Sequence, residues 1–573
     1  MDIQRIVILA GLAVTAWLLL QAWQEDYGAQ NAPAPTVVSA ENTAASADLG
    51  LPQVPSTPSE SSGDVSALAP SPAEAAAEVP SLGDAVSSDP APSTDLIRVE
   101  TALHLAEIDP VGGDLVSVAL RQHVTTLESQ VPFPLVDPRN KYAAQSGLIG
   151  PDGTDSGGRP LYSAARSTYT MDDEGQLEVR LTHRQADGVT VVKRYTFYDD
   201  DYLIDIDFEV INSRGIPWQG ALFAQIRRDS QPPMIDESIG IGIQPYVGGA
   251  VYRESEPYSK IEFEDLDDES FKEKVVGGYA AMVQHYFVTA FVPKGIGEEA
   301  TENTYQGRRL GDSDLYTLGF TTPLTVIQPG ATGTIGAQYY AGPKDQLRLE
   351  KITEGLDLTV DYGFLWWLSQ PLFYLLNTLH GTVGNWGFAI ILLTCVVKLL
   401  LYPLSAAGYR SMAKTRKLQP QLMRLKEQHG DDRQAFSQAM MDLYKKEKAN
   451  PVGGCFPLLL QMPVFLALYW ALMESVELRH APFMLWIHDL SAMDPYFVLP
   501  ILFGVSMYLT TMMQPEPPDP MQAKVLKLMP VIFSVFFLWF PAGLVLYWLV
   551  NNIISIAQQF YVTRQIEKAD QAT

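Results

Sequence analysis

The chain has 573 residues, enough for several domains, and carries a net charge of −26. That acidic balance argues against a nucleic-acid binder. The two cysteines, Cys395 and Cys455, lie in or beside apolar runs, and the eight histidines are scattered, so neither a disulfide framework nor a metal site is indicated. The average conceals a segregation, because acid concentrates in residues 95–362 and base between 405 and 450.

Residues 1–23 join a short charged start to an apolar run longer than a signal-peptide core, with Trp17 and Trp23 suited to an interfacial belt. They read as an uncleaved transmembrane anchor. Arg5 before the run, with Glu25 and Asp26 after it, puts the N-terminus in the cytoplasm. Residues 24–94 are rich in Ala, Pro and Ser and poor in aromatics. Such a segment buries too little apolar area to offset its ordering entropy, and it reads as a disordered periplasmic linker.

Residues 95–362 read as one large all-β domain. In the run 189–212, Ile204, Ile206, Phe208 and Val210 alternate with Asp205, Asp207 and Glu209, the period of a strand with one buried face. Asp199–Asp201 make a turn, and 189–198 supply the partner strand. The run 279–292 is also strand-like, and the expected form is a sandwich of antiparallel sheets. No nucleophile elbow, phosphate loop or paired-acid signature stands out, and His104, His183 and His285 read as packed or surface residues. No enzyme activity and no cofactor are expected.

Residues 363–380 are apolar, interrupted by Pro371 and led by Trp366 and Trp367, and read as an amphipathic helix on the outer membrane surface. Spans follow at 387–404, 456–473, 496–513, 525–540 and 543–562, which with the anchor makes six. The 405–450 segment carries ten Lys or Arg against five acids, so it is cytoplasmic by the positive-inside rule. It reads as a helical hairpin. Its first helix aligns Leu418, Leu422 and Leu425, passes Pro420 and ends at Gly430; its second, capped by Asp431 or Asp432, aligns Phe436, Met440 and Leu443. Asn450-Pro451 and Gly453-Gly454 break the chain before the next span. Pro541-Ala542-Gly543 is a turn signal between the last two spans, and Arg564 and Lys568 put the short tail, 563–573, in the cytoplasm.

Lys398 lies inside an apolar run, where a charge costs roughly 2.5–3.5 kcal/mol on insertion scales. It lies five positions before Pro403, so at 1.5 Å per residue it sits roughly 7–9 Å from the end of its helix. Two readings are open. Its side chain snorkels to the headgroups, or it faces a wet cavity between spans. Thr394 on the same face, Gln461 in the next span, and Asn551, Asn552 and Ser555 in the last span favour the cavity, while interhelical hydrogen bonding accounts for each of them singly.

The runs YRSMAKTRKLQPQLMRLKEQHGDD, MMDLYKKEKANPVGGCFPLLLQMPVFLALYWAL, ELRHAPFMLWIHDLSAMDPYFVLPIL and FFLWFPAGLVLYWLVNN resemble the YidC/Oxa/Albino family of membrane protein insertases through roughly 360–562. GGYAAMVQHYFVTAFVP resembles the periplasmic domain of its Gram-negative members, a β-supersandwich akin to sugar mutarotases. The resemblance implies a five-helix core around a hydrophilic groove open to cytoplasm and lipid and closed to the periplasm. Lys398 matches the family's groove cation, which attracts acidic translocated segments. The usual residue there is Arg, so a point charge replaces a bidentate fork. Thr394, Gln461, Phe465 and Trp548 fall on groove or substrate-contacting positions, with Trp548 where Tyr is common.

The resemblance further implies an insertase and chaperone of the bacterial inner membrane, with both termini cytoplasmic. It acts with or without the Sec translocon and its accessory subunits. The other implied partners are newly made membrane proteins, membrane lipids, and the ribosome and signal-recognition machinery through the hairpin. The tail lacks the long basic extension of some relatives. The rivals are a secondary transporter using Lys398, which predicts inverted repeats, an envelope enzyme and a structural scaffold.

Overall fold

A computed structural model describes residues 95–172, 174–233, 245–295, 300–429, 432–447, 456–514 and 520–571. The expected anchor, the linker, Gly430 and the Asn450–Gly454 break lie outside the described residues. All described residues belong to one compact unit.

The strands of the N-terminal half form an eleven-stranded and a nine-stranded sheet among the described residues. The alternation at 204–210 is what builds the second sheet. Strand Leu203–Asn212 pairs antiparallel with Val189–Tyr198, setting Ile204 opposite Phe197, Ile206 opposite Tyr195 and Phe208 opposite Lys193. Ile204, Ile206, Phe208 and Val210 enter the core between the sheets. The acidic face of this strand is a charge lattice rather than bare surface. Lys294 reaches Asp205 at 3.0 Å and Asp207 at 2.8 Å, and Arg194 reaches Asp207 at 3.1 Å.

The strand-like run 279–292 holds two strands, Ala280–Val283 and Phe287–Pro293, paired as a hairpin that turns at Gln284–Tyr286. One expectation needs correction. The pairing is not wholly antiparallel, since Ile97–Glu100 runs parallel to Thr168–Thr170. His104 and His285 are buried against main-chain carbonyls of Ala341 and Met473, while His183 bonds the Leu161 carbonyl at the surface.

Short helices α1 (Phe263–Asp268) and α2 (Gln346–Leu349) belong to the sandwich, and longer helices follow. Helix α3 is Trp366–Val383, α4 Trp386–Leu400, α5 Tyr402–His429, α6 Arg433–Lys446, α7 Phe456–Glu474, α8 Val498–Met512, α9 Pro520–Phe536 and α10 Ala542–Gln571. Helix α3 buries Leu372 and Leu376 in the same cluster as α4, α7 and α10 and leaves Trp366 and Trp367 exposed. The expected span 387–404 stops early. Pro403 lacks an N–H and crowds the carbonyl four residues before it, and the chain bends 67° between α4 and α5. Helix α5 then runs through Pro420 unbroken. It packs Leu418 and Leu422 on Tyr444 of α6, and Asp432 caps α6 by accepting from the Gln434 and Ala435 amides.

Among the described residues, Met521–Trp539 alone is long and apolar enough by itself to cross a membrane; α4 with α5 qualifies only as a bent pair, and α8 is apolar but shorter. The outward residues of α8 and α9, among them Ile501, Val505, Leu509, Val525, Leu528 and Ile532, form an exposed apolar surface. Surfaces of that kind mark contact with a membrane or another protein.

The segment between α7 and α8 is folded rather than open. Asp494, 1 % exposed, accepts from Trp486 Nε1 at 2.9 Å and from the Tyr496 and Leu499 amides at 3.0 and 2.7 Å. The Ala542 and Gly543 amides at the start of α10 donate to the Ala492 and Leu490 carbonyls. Glycine at 387 gives the Phe483 ring its place, because a Cβ there would collide with it. The sandwich grips the C-terminal end of α7. Lys344 pairs with Glu474 at 2.6 Å, and Arg479 lies over the Phe133 and Phe287 rings.

Candidate functional site

Helix α4 starts with Asn385 capping the Phe388 amide and is apolar until Lys398. The Lys398 side chain is 5 % exposed and turns inward to α7 and α10. Its Nζ donates to Gln461 Oε1 at 3.1 Å and to Ser555 Oγ at 2.7 Å. Gln461 Nε2 in turn donates to Asn551 Oδ1. The Ser555 hydroxyl donates to the Asn551 main-chain carbonyl at 2.7 Å. Gln558 Nε2 reaches the Lys398 carbonyl at 3.4 Å, and Asn552 Nδ2 reaches Ser506 of α8 at 3.2 Å. Polar groups from α4, α7 and α10 therefore meet at one ammonium, and no carboxylate pairs with it among the described residues. Burying a charge without a counter-charge is costly, and hydrogen bonds to neutral acceptors recover only part of that cost.

One turn along α7 toward Glu474 stands an aromatic tier. Phe465 and Trp548 have ring centroids 4.4 Å apart, and Trp548 lies 5.9 Å from both Phe503 of α8 and Phe537 after α9. The buried Trp548 Nε1 has no hydrogen-bond partner among the described residues. Aromatic rings at these separations favour the tilted and edge-on packing seen here.

The structure thus joins Lys398 to Gln461, and Phe465 to Trp548. It leaves Thr394 outside both tiers: that residue is buried, and its hydroxyl bonds the Ile390 carbonyl of its own helix at 2.7 Å. Asn551 and Ser555 enter the cluster by i, i+4 spacing on α10. Phe503 and Phe537 were not marked by the sequence, since aromatics in apolar runs carry no distinguishing period. Among the described residues no group of His, Cys, Asp or Glu is placed to hold a metal ion.

Two family models match this chain. Residues 378–569 match the 60Kd inner membrane protein family and residues 96–375 match the YidC periplasmic domain. The membrane protein insertase YidC of Cellvibrio japonicus is 51% identical over 528 residues, covering 90% of this chain and 94% of that protein. The chain belongs to the YidC membrane protein insertase family. The YidC insertase of Stutzerimonas stutzeri is 49% identical over 574 residues, covering 99% of each chain. A solved structure described as an active YidC insertase with its first transmembrane domain resolved is 19% identical with a TM-score of 0.38, covering 82% of this chain and 93% of that one. The sandwich is the part that matches the YidC periplasmic domain, and the charged cluster and aromatic tier lie in the part that matches the 60Kd inner membrane protein family. The seam between the two matches falls within α3.

Proposed function

We propose that this chain inserts newly made proteins into the bacterial inner membrane and helps them fold. In this reading six crossings put both termini in the cytoplasm and the sandwich, of β-supersandwich type, in the periplasm. The basic α5–α6 hairpin, on the cytoplasmic side, supports that orientation. Helices α4, α7, α8, α9 and α10 surround a hydrophilic groove, and α3 lies along the outer surface.

The observation that carries the reading is the Lys398 ammonium, buried among Gln461, Asn551 and Ser555 with only neutral partners among the described residues. An acidic residue in a guest's translocated segment supplies the missing counter-charge, and polar groups in the groove shorten the hydrocarbon path that segment crosses. The guest's apolar span then moves past Phe465 and Trp548 into lipid, driven by about 25 cal/mol per Å² of apolar surface removed from water. The groove serves guests delivered alone or by the Sec translocon, and the hairpin meets the ribosome and signal-recognition machinery.

The test uses cells depleted of their own insertase and complemented with this chain or with Lys398→Glu. The readout is insertion of a small, Sec-independent guest with an acidic translocated segment. The native chain restores insertion, and reversal of the charge lowers it at least about tenfold, the factor set by ~1.4 kcal/mol. Equal restoration by both sinks the charged-groove mechanism. Failure of both sinks the assignment.

A further inference from the structure

We infer that Asn551 is the positioning residue that holds the Lys398 ammonium between two neutral acceptors and so keeps its charge available to an acidic guest. This rests on the insertase reading of the same cluster. Asn551 is 4 % exposed and meets the cluster twice. Its side-chain oxygen accepts from Gln461 Nε2. An amide whose NH2 is engaged must turn its oxygen the other way, and Gln461 Oε1 faces Lys398 Nζ at 3.1 Å. The main-chain carbonyl of Asn551 accepts the Ser555 hydroxyl proton at 2.7 Å. A hydroxyl whose proton is engaged offers a lone pair, and Ser555 Oγ receives Lys398 Nζ at 2.7 Å. Asn551 therefore touches both acceptors, while Tyr547 also bonds Gln461 and Tyr409 also bonds Ser555. With the Gln461 amide reversed, NH2 would face ammonium, donor against donor.

The choice of neutral acceptors has a consequence for specificity. An ammonium has three N–H donors, and the two acceptors here take two of them without cancelling the charge. A carboxylate in place of either acceptor would satisfy the lysine within the protein. Asparagine at 551 supplies orientation and adds no anion.

The experiment compares two guests that differ only by Asp or Asn in the translocated segment. They are expressed in insertase-depleted cells carrying the full-length chain at matched membrane levels. The readout is the ratio of acidic to neutral guest inserted. Asn551→Asp keeps an acceptor for Gln461 but brings a negative charge to the cluster, and lowers the ratio about fivefold, as ~1 kcal/mol does. Asn551→Ala frees the Gln461 amide but keeps the carbonyl that holds Ser555, and lowers it roughly twofold. Neutral-guest insertion falls by less than acidic-guest insertion in both variants. Native ratios in both variants overturn the inference, as does a parallel loss of both guests, which marks a merely structural role. A ratio near one for the native chain overturns the charge-based reading beneath it.

Discussion

Among the described residues three lysines are buried, and the two regions of the molecule treat them differently. In the sandwich, Lys193 is fully buried beside Asp114 at 3.9 Å and donates to the Gly112 and Ser146 carbonyls at 3.1 and 2.9 Å. Arg159 bridges the same Asp114 to Asp155. Two acids and two bases balance there. Lys344, where the sandwich meets α7, has Glu474. Only Lys398, in the bundle, has amide and hydroxyl partners alone. The difference teaches that burial of a lysine is not itself a sign of function. A buried cation that carries its own counter-charge belongs to the architecture, and in the proposed reading one held by neutral groups takes its anion from outside.

That contrast can be broken from either side. Arg159→Met leaves Asp114 and Asp155 buried without their bridge, and removal of one partner from such a network costs about 3–5 kcal/mol. The loss appears as faster amide exchange across 189–198 in the full-length protein, with the groove segments unchanged. Gln461→Glu gives Lys398 an internal counter-charge and makes it resemble Lys193. Insertion of an acidic guest falls roughly thirtyfold, ~2 kcal/mol, or half the ~4 kcal/mol of a close unit-charge pair near a protein surface; unchanged insertion would end the comparison. Glu474→Gln leaves Lys344 short of charge and loosens the seam by about 1.5 kcal/mol, read as exchange in 471–479.

The smallest effect is a pH slope. Burial, opposed by Asp114, pushes the Lys193 ammonium down to about 7 from its usual 10.5. Between those values the unfolded chain holds a proton that the folded sandwich lacks, so stability rises with pH through that window and levels off below it. The slope is at most about 1.4 kcal/mol per pH unit. Exchange protection of 189–198 at pH 7 and pH 8 measures it, a difference of about 1 kcal/mol, and Lys193→Met removes that difference.

Much of this was legible in the residues. The alternation at 204–210 specified a half-buried strand, and Lys398 was visible as a charge inside an apolar run. The role of Lys193 was not. It lies on the inward row with Val191, Tyr195 and Phe197, but a single lysine in a strand looks the same whether it meets solvent or a buried acid. The bend after Leu400 had a signal in Pro403, outweighed by the continuity of the apolar run. The second anchor of Lys398 came from Asn551 and Ser555, legible as polar residues in a span, though only packing shows which polar atom turns to which. Thr394 shares a face with Lys398 in sequence, yet its hydroxyl is satisfied within its own helix, a local competition that spacing does not reveal.

The most direct measurement is chemical capture of the guest at the cation. A membrane-permeant carbodiimide, added while an acidic guest is being inserted, condenses a carboxylate with an adjacent amine, and mass spectrometry locates the link. An amide between Lys398 Nζ and the guest's translocated acidic residue is the expected product, absent when that residue is Asn. Links confined to hairpin lysines such as Lys414 or Lys417, with insertion undiminished, would contradict it.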